Sequence, residues 1–251
     1  MGWGVCAVVS TPARVELILY EGVATISLNH PPLNIYDLEM RDSLIDALAG
    51  ARDWPDLRAV VLRTSIEHFG VGADLSEFGS AAHSLESRRI RWDRDPWRLL
   101  RNMPVPVIAC LRGYAFGSGF EMSLLCDLRI AAVDAVLGLP EINVGMLPAA
   151  GGTQSLTRRC GVPDAFDLVL SGRRIDAMTA HQLGAVDEVV DDPETRVGEI
   201  CSRIVQLERS AVSEVLKTCR RNLDPIVVGS AAPLAVRRRP ASLVVTPKGQ
   251  I

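Results

Sequence analysis

The stretch GYAFGSGFEMSLLCDLRIAA, residues 113–132, predicts a turn, a helix and a strand in quick succession. Gly117 and Gly119 flank Ser118 and allow a tight turn, after which the chain begins a helix. The first amides of a helix have no intrahelical acceptor, and the helix dipole adds positive charge at that end. Glu121 lies in the first turn. The stretch therefore predicts an anion-binding turn with a carboxylate beside it.

Each of these features also has a purely structural interpretation. A glycine pair before a helix is typical of close packing against a strand, and Glu121 in a first turn often only complements the helix dipole. A second carboxyl, Glu141, follows Pro140 in an otherwise apolar run, where a charged group indicates a function. The residues alone do not show whether Glu121 and Glu141 meet in space.

A second glycine-rich stretch, HFGVGADLSEF, occupies residues 68–78. It reads as the end of a strand followed by Gly70 and Gly72 and then a charged segment. Two glycines directly before Ala73 and Asp74 indicate that another group comes close to the backbone there.

The surrounding sequence alternates strand and helix patterns and predicts an α/β fold. Residues 15–29 form a hairpin pattern that turns at Glu21-Gly22, and residues 35–52 carry apolar side chains at helical spacing. The apolar run of residues 57–65 predicts a strand buried on both faces. Further on, we expect a helix from Asp176 to Leu183, a stop at Gly184, and a strand from Ala185 to Val190. Residues 196–223 are helix-like, and the proline-rich residues after them predict an irregular tail.

Composition narrows the function classes. The chain has 251 residues and a formal net charge of -3, which gives no global attraction to nucleic acid or acidic membranes. The six cysteines lack metal-ligand spacing and favour reduced thiols in a cytosolic protein. We expect no signal peptide, because the first residues lack a basic region, and no membrane span. The histidines share no ligand spacing, so we expect no metal site and place them at the surface or in loops: His30, His68, His83 and His181.

Four motifs together resemble the enoyl-CoA hydratase/isomerase, or crotonase, family: FGVGADL, GYAFGSGFEMSLLCD, LGLPEINVGMLPAAGGTQSLTR and LSGRRIDAMTAHQLGAVDEVV. The resemblance covers roughly residues 15 to 216. It implies the α/β crotonase (ClpP-like) fold, in which repeated ββα units form a superhelical spiral core. The implied organisation is an N-terminal extension at 1–14, a core at 15–195 and a C-terminal helical and irregular segment at 196–251. That last segment looks truncated or divergent, since RRRPASLVVTPKGQI stands where family members carry a subunit-packing segment.

The resemblance also implies roles for individual residues. Ala73 and Ser118 match the two backbone N–H donors of the family's oxyanion hole, although Ser118 replaces the commoner glycine. Glu121 and Glu141 match the two catalytic glutamates of hydratases. The implied substrate- and CoA-binding residues are Gly72, Asp74, Leu75, Ser76, Gly117 and Pro140. The turn HPPLN at residues 30–34 resembles a CoA-contacting segment, in which Asn34 reads as a turn-capping residue.

The implied reaction is addition of water across the C2–C3 double bond of a 2-enoyl-CoA. No cofactor is implied beyond the coenzyme A that the substrate carries. The resemblance further implies a cytoplasmic homotrimer or dimer of trimers with no nucleic-acid or membrane partner. Two alternatives stay open: an enoyl-CoA or dienoyl-CoA isomerase, and a non-catalytic binder of RNA or of a partner subunit. The RNA-binding form of the second alternative depends on the arginine-rich residues 88–101. Trp92 and Trp97 in this segment suit a base-stacking surface, and they equally suit a wall of the acyl pocket or a subunit contact.

Overall fold

A computed structural model of the chain describes residues 8–9, 14–77 and 94–221, which form a mixed α/β structure. The strands are β1 Val8–Val9, β2 Val15–Tyr20, β3 Val23–Leu28, β4 Ala59–Thr64, β5 Val107–Leu111, β6 Tyr114–Phe116, β7 Leu128–Ala132, β8 Val136–Gly138, β9 Ile175–Asp176 and β10 Glu188–Val190. The helices are α1 Leu38–Asp53, α2 Pro96–Arg101, α3 Ser118–Leu124, α4 Gly152–Cys160, α5 Val162–Ser171, α6 Ala177–Leu183, α7 Pro193–Gln206 and α8 Arg209–Arg221.

The larger sheet has seven strands in the order β1-β2-β3-β4-β5-β7-β10. The predicted hairpin is confirmed, because β2 and β3 pair antiparallel from Val15 opposite Leu28 to Tyr20 opposite Val23. From β3 onward the neighbouring strands are parallel. Strand β4 is buried along almost its whole length, as its continuous apolar run predicts.

Helix α1 covers one face of this sheet. Asp37 caps its first turn by accepting the N–H of Met40 at 2.8 Å. Leu44 and Leu48 are fully buried on its inner face. Each such side chain contributes about 1.5–3 kcal/mol by leaving water. The helical periodicity of this segment is therefore confirmed by a packed face.

Helix α7 covers the opposite face, where Val197 and Cys201 pack against Ile108 and Ile130 of the sheet. The helix-like pattern of residues 196–223 is divided in the structure, because Leu207 adopts an extended conformation between α7 and α8. The predicted irregular tail lies outside the described residues.

The second sheet has the order β6-β8-β9 and positions the site. Gly70 forms an isolated parallel bridge with Ala115 of β6, and Ala73 forms another with Tyr36. These bridges bring the glycine-rich stretch of residues 68–78 beside the strand that leads into Gly117.

The predicted helix and strand near residues 176–190 are present with shifted starts. Asp176 lies before the helix, because its extended backbone lets its carboxylate accept the N–H of Thr179 at 2.7 Å. Strand β10 begins at Glu188 rather than Ala185. Ala185 and Val186 are instead buried against the end of α6, with both amides donating to the carbonyl of Ala180.

Candidate active site

Helix α3 is short and wholly buried, and its first turn follows a glycine with an unusual conformation. Gly117 has φ 52° and ψ -125°, a region that side chains disfavour. A Cβ at Gly119 would lie 2.5 Å from the carbonyl oxygen of Gly70. The close-packing interpretation of Gly119 is thus confirmed, and it fixes the start of α3 against the other glycine-rich stretch.

The bridge between Tyr36 and Ala73 orients the Ala73 amide. The N–H of Tyr36 donates to Gly72 O and the N–H of Asp74 donates to Tyr36 O, both at 2.9 Å. In a parallel pair, bonds to the residues on either side of Ala73 leave its own N–H directed away from Tyr36.

The two glycines that precede the predicted oxyanion-hole residues are in contact. Gly72 has φ 112°, and a Cβ at Gly117 would lie 3.3 Å from Gly72 Cα. Ala73 and Ser118 each follow one of these glycines, so the two residues lie on neighbouring backbones. Ser118 is the first residue of α3, whose amide has no intrahelical acceptor.

Glu121 is buried in the first turn of α3 and is held from the opposite side. Its Oε1 accepts the N–H of Ala150 and the N–H of Gly152, each at 2.8 Å. A Cβ at Gly152 would lie 2.8 Å from Glu121 Cγ, so only glycine leaves room for this carboxylate. Hydrogen bonds to a charged acceptor are the stronger kind, and here they fix the side chain.

Glu141 occupies a different setting. It lies in a 3-10 helix, Pro140–Val144, that ends at Gly145 in the left-handed conformation. The Glu141 carboxyl is partly buried, and its Oε2 has no hydrogen-bond partner within the described residues. Desolvation raises the pKa of Glu141 above its ordinary value.

Gly117 lies beside both glutamates. Glu141 Oε1 lies 3.1 Å from the Cβ position of Gly117, and the N–H of Glu121 donates to Gly117 O at 2.8 Å. The structure therefore brings Glu121 and Glu141 to the same turn, which the residues alone left open.

The remaining residues implied to bind substrate follow Ala73 or precede Glu141. Asp74 accepts hydrogen bonds from the N–H and the hydroxyl of Ser76 at 2.8 and 2.7 Å. Both bonds lower the pKa of Asp74, and the bond from the hydroxyl has the larger influence. Leu75 and Ser76 are exposed. Pro140 begins the 3-10 helix that carries Glu141.

Asn34 is more than a turn-capping residue. It has φ 52°, and its Oδ1 accepts the N–H of His30 at 2.6 Å. Its buried amide group also donates to Thr64 Oγ1 and to His68 O, both at 2.8 Å. Asn34 thereby joins the loop after β3 to the segment that leads to Gly70. In the sequence, Asn34 shows only as a polar residue shortly after two prolines. That pattern does not reveal hydrogen-bond partners that lie far along the chain.

The arginine-rich segment is only partly described. Trp97 lies on α2, and the centroid of its ring is 5.1 Å from that of the Tyr36 ring. This contact with Tyr36 competes with stacking of an RNA base on Trp97. Arg94 pairs with Asp42 and Asp46 of α1. Residues 88–93 of this segment lie outside the described part, and they include Arg88, Arg89, Arg91 and Trp92.

The histidines occupy varied settings. His68 lies in a loop and stacks on Tyr114 at 4.4 Å. His30 also lies in a loop, with its Nδ1 2.8 Å from Ile35 O. His181 lies in α6 rather than in a loop and is partly exposed, with its Nδ1 3.2 Å from Val186 O. His83 lies outside the described residues.

The described residues contain neither a cluster of metal ligands nor a membrane-spanning helix. No group of three or more His, Cys, Asp or Glu side chains within residues 8–9, 14–77 and 94–221 is arranged to hold a metal ion. Over the same residues, no helix is both long enough and apolar enough to cross a membrane.

Comparison with known proteins gives one consistent result. The family model described as enoyl-CoA hydratase/isomerase matches residues 19–227. The probable enoyl-CoA hydratase echA8 of Mycobacterium leprae (strain TN) is 36% identical over 211 residues, covering 82% of this chain and 80% of that protein.

Solved structures agree. An enoyl-CoA hydratase from Bacillus anthracis superposes with a TM-score of 0.77 at 33% identity, covering 84% of this chain and 83% of the other. One from Mycobacterium smegmatis gives 0.77 at 29% identity, covering 84% of each chain. The predicted crotonase fold is confirmed, and the chain belongs to the enoyl-CoA hydratase/isomerase family.

Proposed function

We propose that the protein hydrates the C2–C3 double bond of a 2-enoyl-CoA thioester to give a 3-hydroxyacyl-CoA. The observation that carries this proposal is that two glutamates with differently held carboxyls, Glu121 and Glu141, both lie beside Gly117. Membership of the enoyl-CoA hydratase/isomerase family supports this substrate class.

The thioester oxygen would accept the N–H groups of Ala73 and Ser118. Both residues follow glycines whose backbones touch, and the bridge to Tyr36 directs the Ala73 amide away from its neighbouring strand. When water adds at C3, negative charge moves through C2 to this oxygen. A fixed amide donor in such a site contributes about 3–4 kcal/mol to transition-state stabilisation.

Glu121 acts as the general base. Its Oε1 is held by the amides of Ala150 and Gly152. These bonds fix the carboxyl group of Glu121, and we assign this group the removal of a proton from water. As that proton leaves, the water oxygen bonds to C3.

Glu141 acts as the general acid. A carboxyl must be protonated to deliver a proton to C2, and the burial that raises the pKa of Glu141 favours that form. A proton then returns from Glu121 to Glu141 through water, which restores both groups for the next cycle.

A double-bond isomerase is the second candidate. It needs one group that removes and returns a proton, and Glu141, with Oε2 buried and unpaired within the described residues, suits that task. Glu121 would then only stabilise the fold. The two candidates differ in their dependence on Glu121.

The wider assignments remain predictions. An exposed row on α5, formed by Val162, Phe166 and Leu170, supports the proposal of a homotrimer or dimer of trimers. The cytoplasmic location and the absence of a separate cofactor also stay predictions.

The test follows the ultraviolet absorbance of crotonyl-CoA, whose conjugated thioester is lost on hydration. We expect the wild type to consume it, and Glu121→Gln and Glu141→Gln each to lower kcat by about 10²–10⁴-fold, because each removes one proton-transfer group. Both replacements keep the shape of the side chain.

Mass spectrometry of the product and binding of CoA distinguish the outcomes. A product 18 Da heavier than the substrate is the hydrate. Loss of 3-enoyl-CoA isomerisation in Glu141→Gln but not in Glu121→Gln would favour the isomerase. A wild type that binds CoA yet neither hydrates nor isomerises these thioesters would refute both candidates.

A further inference from the structure

The far end of α3 is held by a buried arginine that the proposed chemistry does not use. Arg129 lies on β7 and is completely buried. Its Nη1 donates to Ser123 O at 3.1 Å and to Cys126 O at 2.6 Å, and its Nη2 donates to Asp127 O at 2.9 Å. One guanidinium thus serves three carbonyls at and just beyond the C-terminal end of α3.

Asp187 and Arg159 extend this network. Asp187 accepts the backbone N–H of Arg129 at 2.9 Å and forms an ion pair with its Nη2. Arg159, in the last turn of α4, reaches both Asp187 Oδ1 and Cys126 O at 3.4 Å.

The network joins α3 and α4 at both ends. At one end, the amide of Gly152, the first residue of α4, holds Glu121 of α3. At the other, Arg159 of α4 meets the carbonyls that Arg129 binds. A helix fixed at both ends cannot slide along its axis without breaking hydrogen bonds to buried groups, which are costly to leave unpaired.

Arg129 keeps its charge under working conditions. Burial, the largest influence, lowers the pKa of Arg129 to about 10, still well above neutral. A cation at the C-terminal end of a helix also complements the helix dipole. Lysine could not replace it fully, since only the planar guanidinium offers forked donors to several acceptors.

We propose that Arg129 is a positioning residue for the reaction at the other end of α3, where it keeps the Ser118 amide and Glu121 in register with the thioester. This proposal rests on the proposed function. It assigns Arg129 an effect on the chemical step that a residue needed only for folding would not have.

The experiment compares Arg129→Lys with the wild type at a temperature where circular dichroism shows both folded. We expect kcat for crotonyl-CoA hydration to fall about 10–100-fold with KM within about 3-fold, because displacement of a catalytic group by about 1 Å has that effect on rate. Hydrogen exchange measured by mass spectrometry should be faster in peptides that cover α3.

Arg220→Met is the matched control. Arg220 pairs with Asp127 and donates to Val105 O, so its loss removes a similar set of bonds from α8 while leaving those of α3. We expect lower stability and unchanged kcat. If Arg129→Lys does not fold, Asp187→Asn should give a smaller loss of kcat of the same kind.

The outcomes separate the two proposals. Arg129→Lys with wild-type kcat, or Arg220→Met with an equal loss, would overturn the positioning role. A wild type without activity refutes the proposed function, and hydrogen exchange then decides the role of Arg129. Exchange over α3 equal to that of the wild type would overturn it, and faster exchange confined to α3 would support it.

Discussion

Glu121 and Glu141 are the same side chain in two different settings. Glu121 is buried on a helix, and two backbone amides hold its carboxylate. Glu141 lies on a five-residue 3-10 helix, and its Oε2 is buried without a hydrogen-bond partner within the described residues. In the first setting hydrogen bonds fix the side chain, and in the second desolvation raises the pKa of Glu141, which favours its protonated form.

The difference teaches that proton roles depend on backbone placement more than on residue type. Here the two settings come from two elements. Glu121 lies on a helix and is held by amides, whereas Glu141 lies on a 3-10 helix and has one carboxyl oxygen buried without a partner within the described residues.

The largest effect among the tests of this comparison is expected from loss of the Ser118 amide. It shows whether Glu121 and Glu141 can catalyse hydration without that oxyanion-hole donor. Ser118→Pro removes the N–H at the first position of α3, where proline is well tolerated in helices, and replaces the hydroxyl with the proline ring. We expect kcat for hydration to fall about 10²–10³-fold, as for loss of one oxyanion-hole donor, with both carboxyls intact. Stopped-flow absorbance with crotonyl-CoA measures this.

Ser118→Ala is the control, since it keeps the amide and removes a hydroxyl that is buried without a partner in the described part of the chain. Its rate should stay within about 3-fold of the wild type, because the proposed contact is to the backbone. Equal rates for the proline and alanine variants would show that this amide does not bind the oxyanion.

A smaller effect is expected when Glu121 alone is displaced. In Gly152→Ala the new methyl group would lie 2.8 Å from Glu121 Cγ and 2.9 Å from its Oε1, so the side chain must shift. We expect kcat to fall about 10²-fold, the effect of a misplacement near 1 Å. The fold should persist, because a glutamate side chain yields more easily than backbone.

Gly198→Ala on α7 makes the same replacement where nothing lies within 4 Å of the new Cβ. It should keep full activity and gain about 0.5–1 kcal/mol in free energy of unfolding, measured with urea. Full activity in Gly152→Ala would mean that the reaction does not depend on the position of Glu121. The different settings of Glu121 and Glu141 would then not explain their proposed roles.

Sequence reasoning found the fold because its signals are local. The two glycine turns, the helix of residues 38–53 and the buried strand β4 each depend on neighbouring residues. The family resemblance then supplied the pairing of Glu121 with Glu141, which no local pattern contains.

The supports of the site were missed because their partners are distant along the chain. Gly152 holds a carboxylate 31 residues away, and Asn34 reaches His68 across 34 residues. Arg129 did carry a signal, a lone arginine in the apolar run LLCDLRIAA. A buried charge indicates a partner, but the pattern cannot say that the partners are helix carbonyls.

The smallest expected effect is on the pH dependence of the free energy of unfolding, and it reports on the environment of Glu141 alone. Because its pKa is raised in the folded state, the folded protein holds a proton that the unfolded chain releases first as pH rises. The stability from the neutral carboxyl is therefore fully present below the unfolded pKa, about 4.3, and is lost as pH rises through the folded value.

Glu141→Gln cannot ionise and should escape this loss. Its free energy of unfolding relative to the wild type should be more favourable at about pH 7 than at about pH 4 in urea titrations, a difference that requires the wild-type carboxyl to ionise between them. Glu121→Gln should not show this gain, because the Glu121 carboxyl accepts hydrogen bonds from two backbone amides. An equal gain in both variants would mean that the two carboxyls share one environment, which would remove the basis for giving them opposite proton roles.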